Sequence, residues 1–314
     1  MEMSQVKRWA LLIVGMFPIL GLGQTARGTI YFQDGVYHKI DYSINDYVVV
    51  RNSPLDQPTT ITTLTYIWYS LDIYGTSLAY VSAGYIHWDL TTHEYGQAIM
   101  SGGRIYNGGA YAYGNSQLTI SGGRISKGNV DVFDDSQLTI SGGVIGQYWS
   151  GEPILGHVYA WHNSQVTISG GSMYQLHARH TSTVDMSGGT IDSVEASQAA
   201  TVDISGGIVL RDLTVHDTSI VDVSGGAVNH LYAHDTSAVS FSARDFRLGG
   251  GLSFDGDRVL GTGILSGEWF DGTPWAVNIE HHDSGATILA VPEPASIALL
   301  ALGGLAVMRR KRST

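Results

Sequence analysis

Apolar and polar residues alternate in short runs along most of this chain, and the runs recur at a near-constant interval. The anchor of each recurrence is Ser-Gly-Gly, at Ser101, Ser121, Ser141, Ser169, Ser187, Ser205 and Ser224, with weaker copies at Ser82 and Ser242. Successive anchors are 19, 20, 20, 28, 18, 18, 19 and 18 residues apart. An alternating apolar pair precedes each anchor, as in Leu118/Ile120, Val166/Ile168 and Val202/Ile204. An apolar residue follows four positions after it, as in Ile125, Ile145 and Ile191, and a second alternating pair comes later, as in Val130/Val132 and Leu213/Val215. A period of two over short runs broken by glycine predicts strands, and no run sustains a helical period.

One repeat of this length cannot bury its own apolar face, whereas stacked repeats bury a continuous column. The expected fold is therefore all-β: a parallel β-helix, right-handed, of about nine coils of 18–20 residues. A propeller blade needs about 40 residues, and the Leu-rich consensus and Asn ladder of leucine-rich repeats are missing. The Gly-Gly pair suits a corner that needs positive φ or close backbone approach. The long interval places an insertion near Gln147–Gly156, where a loop can leave one corner. The expected organisation is an N-terminal cap over 27–70, solenoid repeats over 71–245 and a C-terminal β cap over 246–290.

The two ends read differently. Lys7 and Arg8 precede the apolar stretch Trp9 to Leu22, and small residues follow, so 1–26 reads as a secretory signal peptide. At the other end, over 291–314, Val291-Pro292-Glu293-Pro294 leads into a short apolar segment, Ala295 to Met308, and then Arg309-Arg310-Lys311-Arg312. The apolar segment is short for a membrane span, and the basic cluster would hold its end on the cytoplasmic side. This order resembles the PEP-CTERM sorting domain of Gram-negative bacteria. The resemblance implies recognition by an exosortase, a membrane transpeptidase, and association with exopolysaccharide and biofilm. It also implies an inner-membrane-associated stage before processing, then the cell surface or the extracellular space.

Charge sharpens the picture of the cargo. Removing 1–26 and 295–314 takes away six of the 17 basic residues and one of the 28 acidic ones, leaving a body of net charge −16. Such a body is repelled by nucleic acid, which excludes it as a partner. Cys is absent, so no disulfide staples the fold.

Two outward columns carry candidate chemistry. Asp185, Asp203 and Asp222 occupy one aligned position, read as a solvated ladder, with a weakly held cation and a glycosidase-like carboxylate set as the alternatives. Tyr74, Tyr111, Tyr113, Phe133, Tyr159, Trp161, His177, His216, Tyr232 and His234 form an aromatic and His-rich strip suited to contact with a glycan or a partner. The adjacent pair His281/His282 and the pair His177/His180 have no companion set of metal ligands, so neither a metal centre nor a cofactor is expected. No catalytic constellation stands out, and the reading is a non-enzymatic structural or adhesive surface protein. The alternatives are a polysaccharide-binding module and, by fold analogy alone, a polysaccharide-active lyase or glycosidase.

Overall fold

The computed structural model of the protein describes residues 28–53, 56–149, 152–154 and 156–292. The expected signal peptide, 1–26, and the tail from Glu293 onward lie outside the described residues. All regular elements among the described residues are strands, and they form a parallel β-solenoid of about 11 coils. At about 4.8 Å per coil the stack is roughly 50 Å long.

Three parallel ladders run along the solenoid. In the first, Gln117–Ile120 lies between Gln97–Met100 and Gln137–Ile140. In the second, Arg124–Ile125 lies between Arg104–Ile105 and Val144–Ile145. In the third, Val130–Val132 lies between Ala110–Ala112 and His157–Ala160. From Gln165 to Ala233 the three segments of each coil fuse into continuous strands of 14 or 15 residues, bent where the pairing shifts register at Ser-Gly-Gly.

Pairing joins equivalent positions, so like side chains stack. Leu118 sits under Ala98 and over Leu138, and the inward residues form one unbroken core from Ile40 to Ala290. The inward corner before the first ladder takes only small residues. Ser77, Ser116, Ser136, Ser164, Ser182, Ser219 and Ser237 are completely buried there. The Ser136 hydroxyl donates to the Ala112 carbonyl at 3.2 Å and that of Ser219 to Ala196 at 3.1 Å, satisfying groups that burial would otherwise leave orphaned.

The stack extends further at both ends than the repeats suggest. Thr29–Phe32 and Tyr37–Ile40 begin the third and first ladders, in parallel register with Tyr47–Val50 and Thr60–Thr63. Residues 29–70 thus continue the coil geometry that the sequence reading started near Leu71. Pro274–His282 and Thr287–Val291 add a last parallel layer on Ile220–Ala233 and Ala238–Ser242. These end coils lack Ser-Gly-Gly, which is why a count of anchors falls short of the coils present.

The C-terminal end is sealed by antiparallel strands. Arg244–Leu248 and Pro274–His282 flank Gly263–Glu268, and Ser253–Asp255 pairs with Arg258–Leu260. Trp275 stacks on Phe241 at 5.1 Å and on Trp269 at 4.6 Å, closing the apolar column. The insertion near residue 147 is a two-stranded antiparallel hairpin, Gln147–Trp149 with Glu152–Ile154.

At each corner the two glycines are needed for different reasons. The second has positive φ, for example 87° at Gly189 and 79° at Gly123, where a β-carbon is strained. At the first, a β-carbon would meet the carbonyl oxygen of the preceding coil's serine: 2.4 Å from Ser169 at Gly188 and 2.4 Å from Ser101 at Gly122. Gly189→Ala is expected to cost about 1–3 kcal/mol through backbone strain. Gly188→Ala is expected to cost at least as much, because the Ser169 backbone must move, while the exposed Ser187→Ala stays within about 0.5 kcal/mol. Chemical denaturation of the three variants checks this ranking.

Candidate functional site

The outer face of the third ladder is three side chains wide. Each coil contributes one residue just before the strand, one in its middle and one just after. Tyr111, Asp131, Tyr159, His177, Glu195, Thr214 and Tyr232 occupy successive middle positions. Tyr113, Phe133, Trp161, Arg179, His216 and His234 lie in the column that follows, each anchored by its backbone N–H to the coil before. The alternation read from the sequence therefore does bring the strip onto one face.

The strip is a stacked ladder, with the ring faces turned toward one another. Tyr74 stacks on His93 at 4.3 Å, Tyr113 on Phe133 at 4.8 Å and Phe133 on Trp161 at 6.2 Å, with planes within 6° of parallel. His93 bridges to Tyr113 at 5.4 Å. A guanidinium closes each end: Arg51 lies 4.7 Å over Tyr74 and Arg179 lies 5.0 Å over Trp161. Arg51, His93 and Arg179 complete the ladder and were not singled out in the sequence. The one-coil spacing of these positions was the available signal. Further along, His216 stacks on His234 at 4.6 Å. Such stacking stabilises the sheet and leaves mainly ring edges for a partner.

The middle column holds the perturbed acids. Asp131 is half-buried beside Tyr111 and Tyr159, and burial pushes its carboxyl up to about 6. Burial likewise pushes the Tyr111 hydroxyl up to about 12, helped by Asp89 and Asp131. His177 is only 8% exposed, so it packs rather than presents itself. Its Nδ1 lies 3.1 Å from Glu195 Oε2 and its Nε2 lies 3.2 Å from His157 Nδ1. The hydrogen bond from His177 holds the Glu195 carboxyl below the usual range, and burial lowers His157. A cavity of about 90 Å³ opens beside this group, lined by Gln175, Ser193, Asp212 and Thr214.

The acidic ladder is present in register, Asp185 beside Asp203 beside Asp222. Burial, then the charges of Asp222 and Asp185, raise the Asp203 carboxyl. Ser240 continues the column and donates its hydroxyl to Asp222.

A second surface lies on the outer face of the second ladder. Tyr66, Tyr85, Arg104 and Arg124 pair in succession. Trp68, His87 and Tyr106 stand beside them, and Tyr66, Trp68 and Trp88 are each 45% exposed. Their rings are tilted rather than coplanar, 31° between Tyr66 and Tyr85 and 33° between Trp68 and His87. Arg104 lies 4.8 Å and Lys127 4.6 Å from the centre of the Tyr106 ring. Arg104, Arg124 and Lys127 thus gather cations in an acidic body. In the sequence these arginines look scattered, because each falls in a separate repeat.

The fold is that of a β-solenoid, and a motif at its C-terminal end gives the class, an exported protein. Residues 290–312 match the PEP-CTERM protein-sorting motif, so the chain carries a signal for exosortase-dependent export behind its solenoid body. No curated protein and no solved structure matches the chain. The match begins inside the last strand, Thr287–Val291.

The raised Asp131 carboxyl carries a consequence for stability. The folded protein holds this proton more tightly than the unfolded chain, so stability falls as pH rises from the ordinary carboxylate range through about 6. Asp131→Asn is expected to stabilise the protein by about 1 kcal/mol at about pH 8, after discounting for solvent screening, and to have no effect near pH 3. Urea denaturation at the two pH values checks it.

Proposed function

We propose that this protein is a non-enzymatic surface or matrix rod, delivered by an exosortase-type system, that binds an acidic exopolysaccharide. The observation that carries the reading is the cationic and aromatic face of the second ladder. Arg104 and Arg124 sit opposite one another in adjacent coils, with Arg104 over the Tyr106 ring and donating from Nε to the Ser126 hydroxyl. Exposed tryptophan and tyrosine rings beside them suit stacking on sugar rings, and the three cations suit their carboxylates. The stacked ladder of Tyr74, Tyr113, Phe133 and Trp161 stiffens the neighbouring face, and its ring edges and Tyr111, Tyr159 and Tyr232 offer additional contacts. The sorting motif supplies the address, consistent with an inner-membrane stage and then the cell surface or matrix.

A second reading rests on Asp131, whose carboxyl near 6 is the kind of group a glycan-cleaving general acid requires. Incubation with polyuronate separates the two readings. Shortened or unsaturated oligosaccharides, lost in Asp131→Asn, would overturn the non-enzymatic reading.

Alginate and polygalacturonate are expected to bind and neutral dextran not to bind, with affinity falling as salt rises. The double charge reversal Arg124→Glu/Lys127→Glu is expected to weaken binding about tenfold. Equal binding of dextran, or an unaffected double variant, counts against the glycan assignment. For the address, deletion of Val291–Thr314 is expected to move a tagged protein out of its normal fraction. Unchanged localisation would sink the sorting argument.

A further inference from the structure

At the C-terminal end of the third ladder the outward column changes character, from aromatic rings to imidazole and carboxylate. We propose that His234, His281 and Asp283 form a binding site for a borderline divalent metal ion of the zinc class.

The site exists because of a β-bulge. Pro274–His282 pairs with Ile220–Ala233 so that Asn278 faces His230 and Ile279 faces Leu231. The register then slips by one, and His281 rather than Glu280 lies opposite Tyr232. In an unbroken strand, His281 would share the inward face with Ile279, whose side chain is buried. The bulge turns it outward instead, where it is exposed and its ring lies 4.8 Å from that of His234. The displaced Glu280 accepts hydrogen bonds elsewhere, from His230 and from Asn278, and does not join the cluster. Adjacent His281 and His282 look unpromising in the sequence because the slip that separates them is invisible there. His282 is taken up by the Ala286 carbonyl at 2.9 Å.

The ligand atoms converge. One from each of the three residues lies within 4.8 Å of the others. Asp283 Oδ1 is 2.8 Å from His281 Nε2, and Asp283 Oδ2 is 3.5 Å from His234 Nδ1. Ligands held at zinc distances in a tetrahedron stand roughly 3.3 Å apart, so these pairs bracket the required edge. The imidazole planes are inclined by 29°, so binding requires the exposed His281 ring to rotate toward a centre shared with His234.

The surroundings pre-set the other two ligands. The Asp235 backbone N–H donates to Asp283 Oδ2 at 3.0 Å, which orients the carboxylate. His216 stacks on His234 at 4.6 Å and fixes its ring plane. Support of this kind from outside the ligand set is what metal sites use to aim their donors. Two imidazoles and one carboxylate favour zinc, nickel or copper over calcium or magnesium, which take oxygen ligands. Three protein ligands leave at least one position open to water or to a donor from outside the chain.

Titration of untagged, metal-stripped exported protein with Zn²⁺ by calorimetry tests the site. One ion per chain is expected to bind, and Ca²⁺ is expected not to compete. His281→Ala, Asp283→Asn and His234→Ala are each expected to weaken binding by at least about tenfold. Glu280→Gln, which lies outside the cluster, should bind within about threefold of the parent. Zn²⁺ should also raise the melting temperature of the parent and not of His281→Ala, whose exposed side chain can be removed without loss of fold. Absence of saturable binding, or equal binding by His281→Ala and Asp283→Asn, overturns the proposal.

Discussion

Backbone pairing between equivalent positions of successive coils is the interaction on which the rest of this molecule depends. Each coil repeats the one below at the spacing of a parallel sheet, and any side chain therefore meets its own counterpart. That rule builds the core, since most inward Leu and Ile residues are placed on another apolar residue and Ile40 and Ile73 on the buried Thr63 and Thr92. It also builds the surface, where Tyr113 falls on Phe133, Tyr74 on His93 and Tyr85 on Arg104. It forbids a β-carbon at the first corner glycine, because the carbonyl of the coil below already occupies that space. A second set of cross-coil bonds reinforces the register at the opposite corner. There Asp217 N–H donates to Asp235 Oδ2 at 3.1 Å, Gln198 N–H to Asp217 Oδ2 at 2.8 Å and His180 N–H to Gln198 Oε1 at 2.7 Å. Each of those donors lies on a residue of positive φ. Asp283, one of the three residues clustered near the C-terminus, is the last acceptor of this chain of bonds.

The repeats made the fold legible because spacing and alternation are one-dimensional properties. Ser-Gly-Gly and the paired apolar residues translate directly into corners and inward columns. What the sequence hid was whatever broke the repeat while keeping the coil. Thr29–Phe32 and Tyr37–Ile40 stack like every other rung but carry no corner glycines, so nothing in their local pattern marks them. Asp271 and Gly272 turn the chain between Gly263–Glu268 and Pro274–His282, and Trp269 and Trp275 close the column on either side of that turn.

The candidate sites were legible to different degrees. The aromatic strip was visible from alternation, but which faces of its rings remained open depended on stacking angles. His177 belonged to the right column and is buried, because His157 and Glu195 close over it. The cationic face joined residues a full repeat apart, and the His281 cluster required a one-residue slip in pairing. Both are products of stacking and not of local sequence.

The last strand, Thr287–Val291, runs into the sorting motif with no linker between them. Its partner is the five-residue segment Ala238–Ser242, held along its whole length. Any tension on the tail along that strand reaches the solenoid as shear on a row of bonds that must yield together. Arg104 and Arg124 lie in adjacent coils near the middle of the stack, several coils away from that strand.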